Sequence, residues 1–374
     1  MEILGYERPD GQIGIRNKVS IIFSTDCSRF VAQKLKTLFP EGTQLFGCPG
    51  GCALVHGAFN KLVALGRHSS SAAALVVGLG CEGTDANTVA EAIAASGRPA
   101  EAVKISEAGG DLRTVEMCSR ILVKLLQHAS QSRRVSMTPA DLIVGTECGG
   151  SDATSGLSAN PITGVAGDHL VDDGGTYMIS ELEELLGCSD ILAARSVNDE
   201  VAEEVRSAIM AAERRSFESG RFAWGYGNIM GGLTSIEEKS YGALAKSGTH
   251  PVQGILKEYG LPPCKGFFLQ TGEPGSGSFH GDPEGINQFA AHGAHLALFT
   301  TGCGSTTGGL IPVIKVIGNP NRTQLIHDNA DFDATPVILG ESTIEEMGDS
   351  LYTEVLAVAA GKLTRSEVLG HFEV

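Results

Sequence analysis

No run of lysine and arginine longer than two residues occurs in this chain of 374 residues, and its formal net charge is −16. A nucleic-acid surface needs a basic stripe or patch, so that class of partner is not expected. An acidic chain can still take an anionic substrate where a metal or a few local cations hold it. No apolar run is long enough to span a bilayer. The opening residues, Met1-Glu2-Ile3-Leu4-Gly5-Tyr6-Glu7, lack the basic and apolar regions of a secretory signal, so a cytoplasmic protein without a membrane partner is expected. No glycine-rich loop fits the dinucleotide fingerprint or the P-loop, and there is no internal repeat or low-complexity segment. Nine cysteines are an odd number for a disulfide framework in such a chain, which leaves metal binding or catalysis as their better use. Cys48 and Cys52 have no second tight pair elsewhere, so a structural zinc site is not expected.

What is present is an ordinary globular composition, 42% apolar and 19% charged, with 49 glycines that follow no collagen-like period and point to many tight turns and ligand-facing loops. The length predicts two domains. Strands over 18–25, 73–79 and 103–105, and another ending at Gly47, alternate with helices over 26–38, 54–67, 84–95 and 111–128. This is the pattern of parallel βαβ units. The polar stretch 129–139 ends in proline and sets the boundary, giving a first domain over 1–136 and a second, larger one over 137–374. The fold class expected is α/β, with two Rossmann-like domains and mainly parallel sheets. Residues 5–17 read as a loop, Asn160 as the cap of a helix opening at Pro161, 337–339 as a strand, and Ser342 with Glu345 as the capping box of the last helix.

Three apolar runs end in cysteine beside glycine: Phe46-Gly47-Cys48 with Cys52 beyond, Leu79-Gly80-Cys81-Glu82, and Val144-Gly145-Thr146-Glu147-Cys148-Gly149-Gly150. In an open α/β sheet ligands bind outside the carboxyl ends of strands, and glycine lets a backbone approach them. Cys52, Cys81 and Cys148, with Cys303 as a fourth candidate, therefore read as one shared open site. Cys27, Cys118, Cys188 and Cys264 read as small buried hydrophobes. Of the histidines near glycine-rich loops, His56, His250, His280, His292 and His295, only His56 is carried forward as a candidate base.

Five ordered stretches resemble one family: Gly5-Tyr6-x-Arg8-x-Asp10-Gly11-x-x-Gly14-x-Arg16-Asn17, Val77-Gly78-Leu79-Gly80-Cys81-Glu82, Gly145-Thr146-Glu147-Cys148-Gly149-Gly150-Ser151-Asp152, Gly231-Gly232-Leu233-Thr234 with Glu238-Lys239-Ser240, and Gly340-Glu341-Ser342-Thr343-Ile344-Glu345-Glu346. The chain is similar over nearly its whole length to the altronate/galactarate dehydratases. The resemblance implies an iron-dependent hydro-lyase that eliminates water from a sugar acid to give a 2-keto-3-deoxy acid. A related branch, the large subunit of sulfolactate sulfo-lyase, implies carbon–sulfur cleavage instead. The family's small N-terminal SAF-type domain is expected to be missing here or to be a separate subunit, and a non-catalytic subunit awaiting such a partner is a third reading. Where the family reads Gly-Asn-Lys and Thr-Gly-Arg-Gly, this chain has Gly227-Asn228-Ile229 and Thr301-Gly302-Cys303-Gly304, which removes two cations from the expected substrate site.

With that chemistry in view, Cys52, Cys81 and Cys148 are the expected ligands of Fe2+, with Glu82 and Glu147 as alternative ligands or their supports. A mononuclear ion is favoured and an iron–sulfur cluster is the other form. Arg8, Arg16, Asn228 and Ser305 are expected to bind the small anionic hydroxy-acid substrate. Lys239 and His56 are the candidate bases. A homo-oligomer is expected.

Overall fold

A computed structural model describes residues 2–53, 57–257, 259–271 and 281–372. The chain divides into two compact units, one built on Glu2–Met137 and the other on Thr138–His371. Both are α/β, and the two large sheets are parallel throughout, as the strand–helix alternation requires.

The strands of the first unit are β1 (Ile3–Glu7), β2 (Ile13–Gly14), β3 (Lys18–Phe23), β4 (Thr43–Gly47), β5 (Ser71–Gly78), β6 (Ala100–Lys104) and β7 (Arg134–Met137). A four-stranded sheet runs in the order β4-β3-β5-β6. Every residue of β5 is buried, which is why its sequence is a continuous apolar run rather than an alternation. On one face Val19, Ile21, Phe23, Leu75 and Val77 meet Val31 and Leu35 of the helix Asp26–Leu38, together with Cys118, Leu122 and Leu125 of the helix Asp111–Ala129. The helices Ala58–Gly66 and Ala86–Ala94 bury Leu62, Leu65 and Ile93. Asp85 caps the second of these by accepting from the Thr88 amide.

The second unit contains β8 (Ile143–Cys148), β9 (Thr176–Ile179), β10 (Val252–Leu256), β11 (Gly266–Gln270), β12 (Leu296–Thr301), β13 (Val313–Ile317) and β14 (Phe332–Asp333). Its seven-stranded sheet runs β10-β11-β9-β8-β12-β13-β14. The chain leaves β8 for β9 on one side and later crosses to β12 on the other. The crevice at the carboxyl end of β8 is therefore a topological switch point, where sheets of this kind bind ligands. Successive β8 side chains face opposite ways. Gly145 leaves room for the Phe289 ring of the helix Asp282–Ala291, because a Cβ there would lie 2.3 Å from it. Thr146 points the other way and donates to Tyr177 Oη, which donates in turn to the carbonyls of Thr163 and Lys246.

Several local expectations are corrected. Residues 5–17 contain the end of β1 and the whole of β2, two members of a three-stranded antiparallel sheet, β2-β1-β7. The partner strand β7 lies within the polar stretch 129–139 read as a boundary, and no local signal reports pairing at that separation. Asn160 lies inside the helix Ala159–Asp172, whose cap is Ser158, and spends its amide on the Gly242 carbonyl. Residues 337–339 belong to the one-and-a-half-turn helix Thr335–Leu339, opened by Pro336 and closed by Gly340 at φ 71°. The helix Ile344–Ala359, expected as the last, is followed by a short helix, Arg365–Leu369, and its capping box is Thr343 with Glu346, one residue beyond the expected pair. Cys118 and Cys188 are buried as read, but Cys27 and Cys264 are exposed. His56 and His280, and the loop 272–278, lie outside the described residues. No helix of the described residues is long and apolar enough to cross a membrane.

Candidate active site

The last residue of β8, Cys148, is buried, and two elements bring carboxylates to it. Just past β9, Glu181 adopts φ 60°, the one non-glycine positive φ among the described residues. A left-handed glutamate is strained, and such strain persists only where surrounding contacts hold it. The turn it makes feeds the 3-10 segment Leu182–Glu184, so that Glu181 and Glu184 both face the thiol. Cys148 Sγ lies 2.7 Å from Glu184 Oε2 and 3.7 Å from Glu181 Oε2.

Two lysines come from the following segment. Ser235 caps the helix Ile236–Leu244 by accepting from the Glu238 amide, and that helix carries Lys239. Lys239 Nζ sits 2.7 Å from Glu184 Oε1 and also donates to the Ala223 carbonyl. The 3-10 turn Ala245–Ser247 carries Lys246, whose Nζ lies 2.9 Å from Cys148 Sγ and 3.4 Å from Glu184 Oε2.

Glu147 points to the opposite face of β8. It accepts from Ser180 Oγ at 2.6 Å, and its Oε1 has no donor among the described residues. Gly285 leaves it room, since a Cβ there would meet Glu147 Oε2 at 2.0 Å. Gly149 leaves room for Asp282 in the same way, at 2.3 Å.

The electrostatics follow from burial against this charge. Burial pushes Glu147 up to about 7, against the opposing pull of its neighbours. Glu181 is raised well above the carboxylate range, by burial first and then by Glu147 and Glu184 beside it. Burial also opposes ionisation of Glu184, but Lys239 and Lys246 outweigh it and hold that carboxyl at about 2. The Cys148 thiol is pushed up to about 11, by burial first and then by Glu184. Both lysines are raised despite burial, Lys246 most by Cys148 and Lys239 most by Glu184. Glu147, Glu181, Glu184, Asp282 and Cys148 face two ammonium groups, so a buried site ionised throughout would hold an excess of negative charge.

A cavity of about 300 Å³ opens on this cluster. Cys148, Glu181, Glu184, Lys239 and Asp282 line it, and Phe222 and Trp224 form part of its wall. Asn228 is in the wall as well. It accepts from the Gly225 amide and donates to the Ser151 carbonyl, tying its own loop to the loop that follows Cys148. Cys303 is in the same neighbourhood, its amide donating to the Gly150 carbonyl at 3.1 Å.

The structure thus brings together Cys148, Glu147, Lys239 and Asn228 of the residues singled out from the sequence. Glu181, Glu184, Lys246 and Asp282 were missed. None of the four lies in a motif that marks it in the sequence. Ser305 is part of a hydroxyl turn with Thr307.

The remaining candidates belong to the first unit. Arg8 is buried, and its guanidinium donates to the carbonyls of Ser69 and Arg16 and to Asn17 Oδ1. Burial, with Arg98 nearby, lowers it to about 10. Arg16 is also buried. Glu82 accepts from Ser24 Oγ and from the amides of Gly80 and Cys81. Burial alone would raise it, and these bonds hold it below the usual range. Cys52 and Cys81 are exposed on loops joined by the Gly83 amide donating to the Cys52 carbonyl. Three of the set-aside histidines have structural partners: His295 accepts from the Ile143 amide, His292 bonds the Gly260 carbonyl and His250 lies 3.1 Å from Asp172.

An α/β unit with a thiol, carboxylates and lysines gathered at the switch point of its sheet has the architecture of a small-molecule enzyme. Residues 139–374 match the model of the D-galactarate/altronate dehydratase C-terminal domain, and residues 5–130 match the second domain of the same proteins. The chain is 34% identical to the (2R)-sulfolactate sulfo-lyase subunit beta of Chromohalobacter salexigens, an alignment that covers 99% of this chain and 95% of the relative. It is 28% identical to the altronate dehydratase of Bacillus subtilis, over 97% of this chain and 75% of the relative. With the galactarate dehydratase (L-threo-forming) of Escherichia coli it shares 33% identity over 77% of this chain and 56% of that protein. The chain belongs to the galactarate/altronate dehydratase family, and its enzyme class is lyase.

Proposed function

We propose that the chain catalyses β-elimination from a small hydroxy-acid anion, with loss of water from a sugar acid to a 2-keto-3-deoxy acid as the first reading. The observation that carries it is the cavity at the end of β8, where a thiol, carboxylates and lysines meet in a chain of this family. The proton to be removed lies α to a carboxylate and is weakly acidic, so the site must stabilise negative charge as it leaves. Lys239, an ammonium in the cavity wall, is suited to hold the substrate carboxylate rather than to act as a base. Asp282, raised by burial first and then by Glu184, is suited to take the C2 proton. Without the metal, burial favours the protonated forms of Glu147 and Glu181, and Glu181 lines the cavity.

A metal fits the donor set. Cys148, Glu181 and Glu184 offer ligand atoms within 4.8 Å of one another, and no other group of three or more His, Cys, Asp or Glu does so among the described residues. The excess of buried acids supports a divalent ion there, and the thiol favours iron or another transition ion over magnesium. Such an ion would polarise the substrate's carboxylate or 2-hydroxyl.

The second reading is carbon–sulfur cleavage, with a partner subunit. It is favoured by the sulfo-lyase subunit that this chain matches over 95% of its length, where the altronate dehydratase is matched over 75%.

The test is anaerobic purification followed by iron and acid-labile sulfide analysis, with turnover measured on altronate, galactarate and sulfolactate, for the wild type and Cys148→Ala. Iron without sulfide, lost in the variant, together with keto-acid formation from a sugar acid, supports the first reading. Sulfite release supports the second. Iron with sulfide would replace the mononuclear site by a cluster. No iron and no elimination, alone or with a small SAF-type partner, would overturn both readings.

A further inference from the structure

The atoms that offer themselves to a metal already surround a cation. Lys246 Nζ lies 2.9 Å from Cys148 Sγ, 3.4 Å from Glu184 Oε2 and 3.8 Å from Glu181 Oε2. One ammonium thus reaches all three residues of the thiol–carboxylate triad, and its side chain is only 1% exposed. Its backbone is pinned from both sides. The Lys246 carbonyl accepts from Tyr177 Oη at 2.9 Å, and Arg195 donates to the carbonyl and hydroxyl of Ser247. On the preceding residue, the Ala245 carbonyl packs against Gly164 so closely that a Cβ there would lie 2.4 Å away. These contacts hold the turn in place, which leaves the lysine side chain as the part to yield. Lys239 differs, because it meets the triad only at Glu184 Oε1, from the cavity side.

Two physical facts meet here. Buried anions without a cation are costly, so the ammonium lets the metal-free site fold. An ammonium and a divalent ion among the same ligand atoms repel each other strongly where water is excluded. We propose that Lys246 is a built-in competitor for the metal, filling the triad in the metal-free protein and yielding its place when a divalent ion enters. This rests on the metal reading above. It adds that the affinity of the site is set by displacement of a lysine, and that the empty site does not collapse because the lysine holds it.

The test uses chelator-treated full-length protein as wild type, Lys246→Met and Lys246→Arg. Each is titrated anaerobically with Co2+ while the thiolate-to-cobalt charge-transfer absorbance is followed, and thermal unfolding is recorded with and without the ion. Lys246→Met should bind Co2+ about tenfold or more tightly than wild type, since one positive charge is removed from beside the ion. Its metal-free form should melt earlier, and Co2+ should restore the difference. Lys246→Arg keeps the charge and should bind no more tightly than wild type. If Lys246→Met does not fold without metal, recovery on refolding with Co2+ supports the proposal and failure to recover overturns it. If wild type binds and Lys246→Met binds equally or more weakly, the competition is wrong while the metal reading stands. If neither protein develops the cobalt–thiolate band, both fall together.

Discussion

The carboxyl ends of β5 and β8 carry nearly the same residues in different surroundings. At β5 the order is glycine, cysteine, glutamate, with Glu82 following Cys81; at β8 Glu147 precedes Cys148. Each glutamate fits beside a glycine whose Cβ would collide with it, Gly78 at 2.1 Å from Glu82 and Gly285 at 2.0 Å from Glu147. Glu82 is saturated by a hydroxyl and two amides from its own neighbourhood, and Cys81 beside it is exposed. Glu147 has one hydroxyl donor and an oxygen with no donor among the described residues, and Cys148 is buried among ionised groups. A carboxylate fed by local amides organises a loop. A carboxylate packed against other acids and lysines is held by the charge around it.

The largest effect that would test this contrast comes from Glu184→Ala. It strips a buried carboxylate from Lys239 and Lys246 and from the Cys148 thiol. Losing one partner of a buried ion pair costs about 3–5 kcal/mol, so the variant should lose that much in chemical denaturation and should have no measurable turnover. Near-normal stability would mean that the two lysines are solvated, and the β8 end would then resemble the β5 end.

Next come the paired glycines. Gly78→Ala and Gly285→Ala should each cost about 1–3 kcal/mol, because each forces a methyl into a carboxylate that has no room to retreat. Only Gly285→Ala should also change the metal affinity measured by cobalt titration, since only Glu147 abuts the charged cluster. Equal effects on affinity would erase the distinction between the two sites.

How much of this was legible in the sequence depends on what kind of signal each residue leaves. The parallel α/β architecture was legible because both large sheets are buried on two faces, and β5 and β12 then carry apolar runs, 72–77 and 296–299. The β8 strand end was legible because Glu147, Cys148 and the following glycines sit within four residues. The partners that give Cys148 its chemistry were not. Glu181 acquires its direction from a positive φ that glutamate rarely adopts, and Lys246 reaches the thiol from a turn 98 residues away. Nothing in the local pattern of either residue differs from that of a solvated charge. The β1–β7 pairing failed to show for the same reason, since its two strands are polar at their edges and more than a hundred residues apart.

Glu82→Gln tests the loop-organising role more gently. The amide keeps one acceptor and turns an NH2 towards donors that need a carboxylate, the Gly80 and Cys81 amides or Ser24 Oγ. A loss of about 1–2 kcal/mol with unchanged cobalt affinity is expected. A drop in affinity would support the ligand role that the sequence assigns to Glu82.

The smallest expected effect is the sharpest comparison, because it sets one thiol against another. Cys81→Ser replaces an exposed thiol with no buried partner and should change stability by no more than about 0.5 kcal/mol. Cys148→Ser removes the soft donor from the triad, so its cobalt complex should lose the charge-transfer band altogether. Alkylation separates the two without mutation. Iodoacetamide followed by peptide mass mapping should label Cys81 and Cys52 quickly at neutral pH, while Cys148, buried and with its thiol pushed up to about 11, should react only on unfolding. A divalent ion that leaves Cys81 fully reactive confines the metal to the β8 end. An ion that protects Cys81 at the concentration that develops the cobalt band would show the two strand ends serving one metal site, and the contrast drawn from their surroundings would then describe only the metal-free chain.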